Sequence, residues 1–189
     1  MLNRNNLLVA NICDPSNLRM EISGVHITPE YTEATDQFCL VRVATINTPA
    51  SELPVVNGAN VELKEVILGA EGIKNLKYFK PNKELPILDN VIVSNEKEDR
   101  VDLTTTNLEI NNTVTVRKIE GNYPNTSQVI GDIKNPRTVT IKLLKKVIDT
   151  ISKMGIDNAD IEIVGEQIIF KGITKEDQDV KAVLMLHLR

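Results

Sequence analysis

Apolar positions recur along this chain with two different periods. The first alternates, or runs as a short apolar block, and reads as strand. It covers 7-LLVANIC-13, 18-LRMEISGVHI-27, 38-FCLVRVATI-46, 75-NLKYFK-80, 87-ILDNVIVSN-95, 100-RVDLTTT-106 and 113-TVTVRKI-119, then 160-DIEIV-164, 167-QIIFKG-172 and 180-VKAVLMLHL-188. The second is the helical period, and it occurs twice. In 61-VELKEVILGAEGI-73, Leu63, Val66, Ile67 and Ala70 share a face; Asn60 can cap the start and Gly72 the end. In 138-TVTIKLLKKVIDTISKMG-155, the stripe is Ile141, Leu144, Val147 or Ile148, Ile151 and Met154, with Gly155 as the stop.

These segments repeat one order, strand then helix then about three strands, over roughly 55–124 and 136–189. Residues 1–47 read as a partial unit of strands only. The expected divisions are thus 1–47, a β-α-β-β-β unit over 48–125, a linker over 126–135 and a second such unit over 136–189, or one compact domain overall. Val55-Val56 can form a short strand before an Asn57-Gly58 turn. The fold class is α+β, with antiparallel sheets and two helices on one face. A boundary is written into 117-RKIEGNYPN-125: Gly121 permits a sharp turn and Pro124 forbids continuation of the strand.

Composition narrows the function classes. Of 189 residues, 41% are hydrophobic, yet only 3% are aromatic and Trp is absent, so the core must be aliphatic. Two cysteines make no disulfide framework, and Cys39, between Phe38 and Leu40, reads as a core residue. No signal peptide or apolar span long enough for a membrane is visible, which points to the cytoplasm. An enzyme needs convergent reactive groups. Of the two histidines, His26 lies in a strand-like run and His187 near the end, neither with a partner at metal-ligand spacing. There is no phosphate-binding glycine loop. Glu176-Asp177-Gln178-Asp179 lacks the glycine and the later Glu of a calcium loop and reads as a solvated turn. No catalytic residue, metal or cofactor is expected.

Charge adds one positive signal. The protein carries a net −4, but Lys142, Lys145, Lys146 and Lys153 against Asp149 leave three excess positive charges on the second helix, opposite its apolar stripe. A solvated face is one reading. The other is a cationic stripe for a phosphate backbone, a task for mobile point charges that read no sequence.

Three stretches resemble the DNA polymerase sliding clamps, the bacterial β-clamp kind most. The run 34-ATDQFCLVRV-43 is similar to that family's A-T-D-G-H-R-L strand, 119-IEGNYPN-125 to its I-E-G-x-F-P-D junction, and 140–155 with 183-VLMLHLR-189 to its last helix and M-P-M-R-L tail. The resemblance implies a DNA-clamp-like fold of repeated β-α-β-β-β units and a non-catalytic processivity factor for replication. It implies double-stranded DNA held by backbone contacts, a polymerase and a clamp loader as peptide partners, a homo-oligomer, and no membrane. It assigns Gly121, Tyr123 and Pro124 to the junction between units, and Lys142, Lys145, Lys146 and Lys153 to DNA. Departures are Gln37-Phe38-Cys39 in place of Gly-His-Arg, Met185-Leu186-His187 in place of the tail's Met-Pro-Met, and a length near one and a half clamp domains. The alternative is a structural or interaction protein with a clamp-like fold that does not encircle DNA.

Overall fold

Asn3 and Asn6 begin the fold by capping each other: each side chain accepts from the other's backbone N–H, at 3.2 and 3.0 Å. This opens a five-residue helix, α1 (Arg4–Leu8), directly after a two-residue strand, β1 (Leu2–Asn3), and a 3-10 turn over Val9–Asn11 follows. The strand expected over 7–13 is therefore corrected. Leu7, Ala10 and Cys13 are buried at the three-residue spacing of a helical turn, with Val9 beside them. The computed structural model describes residues 2–46, 61, 64–82, 84–130, 137–175 and 177–186. Val55-Val56, Asn57-Gly58, Asn60, Leu63, Glu176 and His187 lie outside them, as do 131–135 of the expected linker.

The chain divides into two units, Met1–Thr126 and Ser127–Arg189. In the first, β2 (Gly24–Ile27), β3 (Tyr31–Thr35), β4 (Leu40–Ala44), β5 (Val66–Gly69), β6 (Asn90–Ser94), β7 (Arg100–Thr106) and β8 (Asn111–Ile119) join β1 in an eight-stranded sheet. Its order is β1-β6-β7-β8-β5-β2-β3-β4, antiparallel at every pairing. A second short helix, α2 (Ala70–Lys74), follows β5. The β-α-β-β-β order thus runs twice within this unit. The partial unit expected over 1–47 is not strands alone, since it carries α1, and it shares one sheet with 66–119.

The helix expected over 61–73 is corrected to strand β5 and the five residues of α2. Val66 and Ile67 are β-branched, and β5 sits between β2 and β8, where both of its edges are paired. No strand forms over 75–80. There Leu76 is buried, Tyr78 lies under the Arg4 guanidinium at 5.1 Å, and the Thr105 hydroxyl donates to the Lys77 carbonyl at 2.6 Å. The core is aliphatic, as composition requires, with Val25, Leu68, Val101 and Leu103 fully buried.

Cys39 does not belong to that core. The Asp36 carboxylate accepts from the backbone N–H groups of Phe38 and Cys39 at 2.9 and 2.6 Å, and Gln37 adopts φ +85°. This tight turn throws Phe38 (94% exposed) and Cys39 outward. Cys13 is the buried thiol; it donates to the Gly24 carbonyl, and burial pushes its pKa up to about 11 despite nearby Lys74. Alkylation of the native protein at neutral pH should modify Cys39 and spare Cys13, read by peptide mass spectrometry; equal labelling would contradict this placement.

In the second unit, α3 (Ile141–Lys153) packs against a three-stranded antiparallel sheet of β9 (Asp160–Val164), β10 (Gln167–Ile173) and β11 (Asp179–Met185), in the order β11-β10-β9. Gly165, at φ +56°, makes the β9–β10 turn read from the sequence. Ile151, Ile156, Phe170 and Leu184 form the core, with Leu144 and Val147 against it. Ile141, Ile148 and Met154, expected in the same stripe, are exposed. Three strands are too narrow a floor to cover the whole apolar arc of the helix.

Candidate nucleic-acid interface and the exit segment of the first unit

Thr140 precedes α3 without a side-chain cap. Lys142, Lys145, Lys146 and Lys153 are all exposed on the helix. Among the described residues, Lys145 alone of the four has a carboxylate within ion-pair distance, Asp149 at 3.7 Å one turn on. Among the described residues no ion pair holds Lys142, Lys146 or Lys153. The helix therefore presents three unengaged ammonium groups and one partly neutralised one. Exposed lysines in high dielectric suit weak, salt-sensitive contact with phosphate and carry no base readout.

The exit of the first unit is built more tightly. After β8 ends at Ile119, Gly121 turns the chain at φ +132°, a conformation that favours glycine. A Cβ at Gly121 would also meet Glu21 Cγ at 2.6 Å. Changing Gly121→Ala should destabilise the unit by about 1–3 kcal/mol, read by chemical denaturation, and a neutral result would contradict this geometry. Tyr123 then stacks on the His26 ring, with centroids 4.5 Å apart and planes within 18°. Pro124 is exposed, in the irregular segment that begins after Ile119.

Three residues that sequence reasoning did not single out, Glu33, Arg42 and Thr126, hold this segment together with His26. In strand register His26 lies opposite Glu33, and Glu33 opposite Arg42, so one row crosses β2, β3 and β4. Glu33 is only 1% exposed. Its carboxylate accepts from Arg42 Nε and Nη2 at 3.0 and 2.9 Å and from the Thr126 hydroxyl at 2.7 Å; His26 Nδ1 lies 2.9 Å away. Arg42 also donates to Thr126 and rests 3.8 Å over the Tyr31 ring. On its far side, His26 Nε2 lies 3.1 Å from the exposed Glu65. A buried carboxylate is tolerated because both of its oxygens have partners, Arg42 and Thr126 at Oε2 and His26 at Oε1.

The Tyr123 hydroxyl is buried without a hydrogen-bond partner among the described residues. Burial first, then Cys13 and Glu33 nearby, pushes its ionisation well above the ordinary phenol range. Tyr123→Phe should therefore be neutral or slightly stabilising, whereas Tyr123→Ala should cost about 3–5 kcal/mol from loss of the stacked ring. Thermal melts of the two variants separate the ring from the hydroxyl; a large loss in the Phe variant would contradict the assignment.

No group of three or more His, Cys, Asp and Glu side chains is placed to hold a metal ion among the described residues. Nor is any described helix long and apolar enough to cross a membrane.

This architecture, antiparallel sheets carrying few helices in repeated β-α-β-β-β order, is the fold of the bacterial DNA polymerase sliding clamps. The chain is similar to the β sliding clamp of C. crescentus at TM-score 0.64 and 14% identity, over 98% of this chain and 49% of that one. A Pseudomonas aeruginosa DNA polymerase sliding clamp matches at TM-score 0.65 and 13% identity, over 98% and 49%. The Bacillus subtilis sliding clamp matches at 0.61 and 16%, over 98% and 48%. The chain thus spans about half the length of the solved structures it matches. No protein-family model and no curated protein matches the sequence.

Proposed function

We propose that this chain is a sliding-clamp-like processivity factor of DNA replication, acting in the cytoplasm and without catalytic activity of its own. It encircles or associates with duplex DNA without sequence specificity, as a homo-oligomer. The observation that carries this reading is the clamp fold over 98% of the chain, joined to a helix whose exposed charge is cationic in a protein of net −4. Lys142, Lys146 and Lys153, with Lys145 in a lesser part, meet the phosphate backbone. Holding by topology needs only such weak contacts, and negative charge elsewhere keeps other surfaces off DNA. A polymerase and a clamp loader dock by short peptides. The residues Gly121, Tyr123 and Pro124 set where the chain leaves its first unit.

The half-length match favours a second reading, a clamp-like interaction module that does not encircle DNA. Salt titration with duplexes of unrelated sequence tests the DNA role. Four phosphate contacts give an affinity that is equal for all sequences and falls with log salt at a slope of about −3.6. A sequence preference, or a slope near zero, would remove the role of α3.

A further inference from the structure

We propose, resting on the reading that α3 meets duplex DNA, that Asp149 is the residue that limits this contact. Its carboxylate holds the Lys145 ammonium back from phosphate and keeps the hold of the helix on DNA weak.

Helix stability gives Asp149 no reason to be there. It lies in the C-terminal half of α3, where the aligned carbonyl dipoles disfavour a negative charge. Its pairing with Lys145 runs from cation to anion along the chain, the weaker order of an i,i+4 pair. Both partners are open to water, with side chains 75% exposed for Lys145 and 49% for Asp149, so the pair adds little to the fold. Among the described residues the Asp149 carboxylate has no second ion-pair partner.

Its place among the lysines is another matter. At about 100° per residue, the four lysines span an arc of about 100° around the helix axis, and Asp149 falls inside it, within about 20° of the middle. Along the axis it sits between Lys146 and Lys153, one turn before Lys153 and one turn after Lys145. A phosphate that approaches the lysines therefore approaches this carboxylate too. Asp149 repels the phosphate and offers Lys145 a competing anion 3.7 Å away. Asparagine would keep the shape of the side chain and remove both effects. Weak backbone contacts let a protein slide along DNA, and one carboxylate inside the cationic arc weakens them without removing a lysine.

Another exposed carboxylate of the same unit has a different position. Glu162 is opposite Ile169 in register, while the next residue, Phe170, packs with Ile151 of α3 in the core. Side chains alternate along a strand, so Glu162 lies on the face of the sheet turned away from α3.

Fluorescence anisotropy of the full chain with duplex DNA at low salt tests the role of Asp149. Asp149→Asn should tighten binding by at least about fivefold. Its salt dependence should steepen as well. Glu162→Gln removes the same charge from the far face and should change affinity by less than about twofold. The gain should run through Lys145: Lys145→Ala should cost little in the parent and undo most of the gain in the Asp149→Asn background. Equal affinity of Asp149→Asn and the parent would overturn the assignment of Asp149 and leave the DNA role of α3 in place. A gain matched by Glu162→Gln, or one that survives Lys145→Ala, would do the same. A parent that does not bind duplex DNA and gains nothing from Asp149→Asn would overturn the DNA reading and the role of Asp149 with it.

Discussion

Reversing Lys142, Lys145, Lys146 and Lys153 together to Glu should lower duplex-DNA affinity by about a hundredfold or more at low salt and flatten its salt dependence. The loss has two sources. Released counterions supply the favourable term, and each lysine removed from a phosphate removes about 0.9 from the salt slope. Each glutamate then adds repulsion. The fold should survive, because all four side chains are exposed and, among the described residues, Lys145 has the only ion pair on this face, a surface pair of little stabilising weight. Single reversals should not be equal. Lys145→Glu should cost least, since Asp149 already neutralises part of that charge. Fluorescence anisotropy over a salt series, with circular dichroism as the control for folding, measures both effects. Unchanged affinity in the quadruple variant would remove α3 from the DNA interface.

The second large effect is expected at Glu33. Glu33→Ala leaves the Arg42 guanidinium, the Thr126 hydroxyl and His26 facing a void, and should cost about 3–5 kcal/mol. Arg42→Ala strands the buried carboxylate instead and should cost a similar amount. The double variant removes both charges, so its cost should fall well short of the sum. Either single change should lower the melting temperature by about 10 °C or more. Because Thr126 and Tyr123 close the first unit on this row, amide exchange across 121–126 should quicken in both single variants. Additive losses, or an exit segment that exchanges no faster, would show that the row does not hold it.

Much of this fold is legible in the sequence, and the failures have physical causes. β7 and β9 begin and end where alternation places them, at Arg100–Thr106 and Asp160–Val164. The body of α3 and its lysine face were also readable, because helix period and charge are local properties. Val66-Ile67-Leu68 misled because a continuous apolar run fits both periods, and pairing of β5 on both edges decided for strand. The segment 7–13 misled because its buried residues lie in helical turns opened by a cap at Asn3, outside the apolar run. Cys39 read as core from its apolar neighbours Phe38 and Leu40, yet the Asp36 turn throws Phe38 and Cys39 out. The His26–Glu33–Arg42 row could not be read at all. Its members are 7 and 9 residues apart along the chain, and only the registers of β2, β3 and β4 bring them into line. A charged residue at the centre of 31-YTEAT-35 was the available hint, since a carboxylate in a strand with buried neighbours demands a partner.

Encirclement is the central claim, and topology tests it most directly. The protein is loaded on nicked circular plasmid, with a clamp loader supplied, and passed over a sizing column at salt high enough to erase backbone attraction. The DNA is then linearised. Retention on the circle with release from the linear form is the expected result, because a closed ring leaves only over an end. Equal loss from both forms would contradict encirclement and leave a clamp-like fold that works through protein contacts alone.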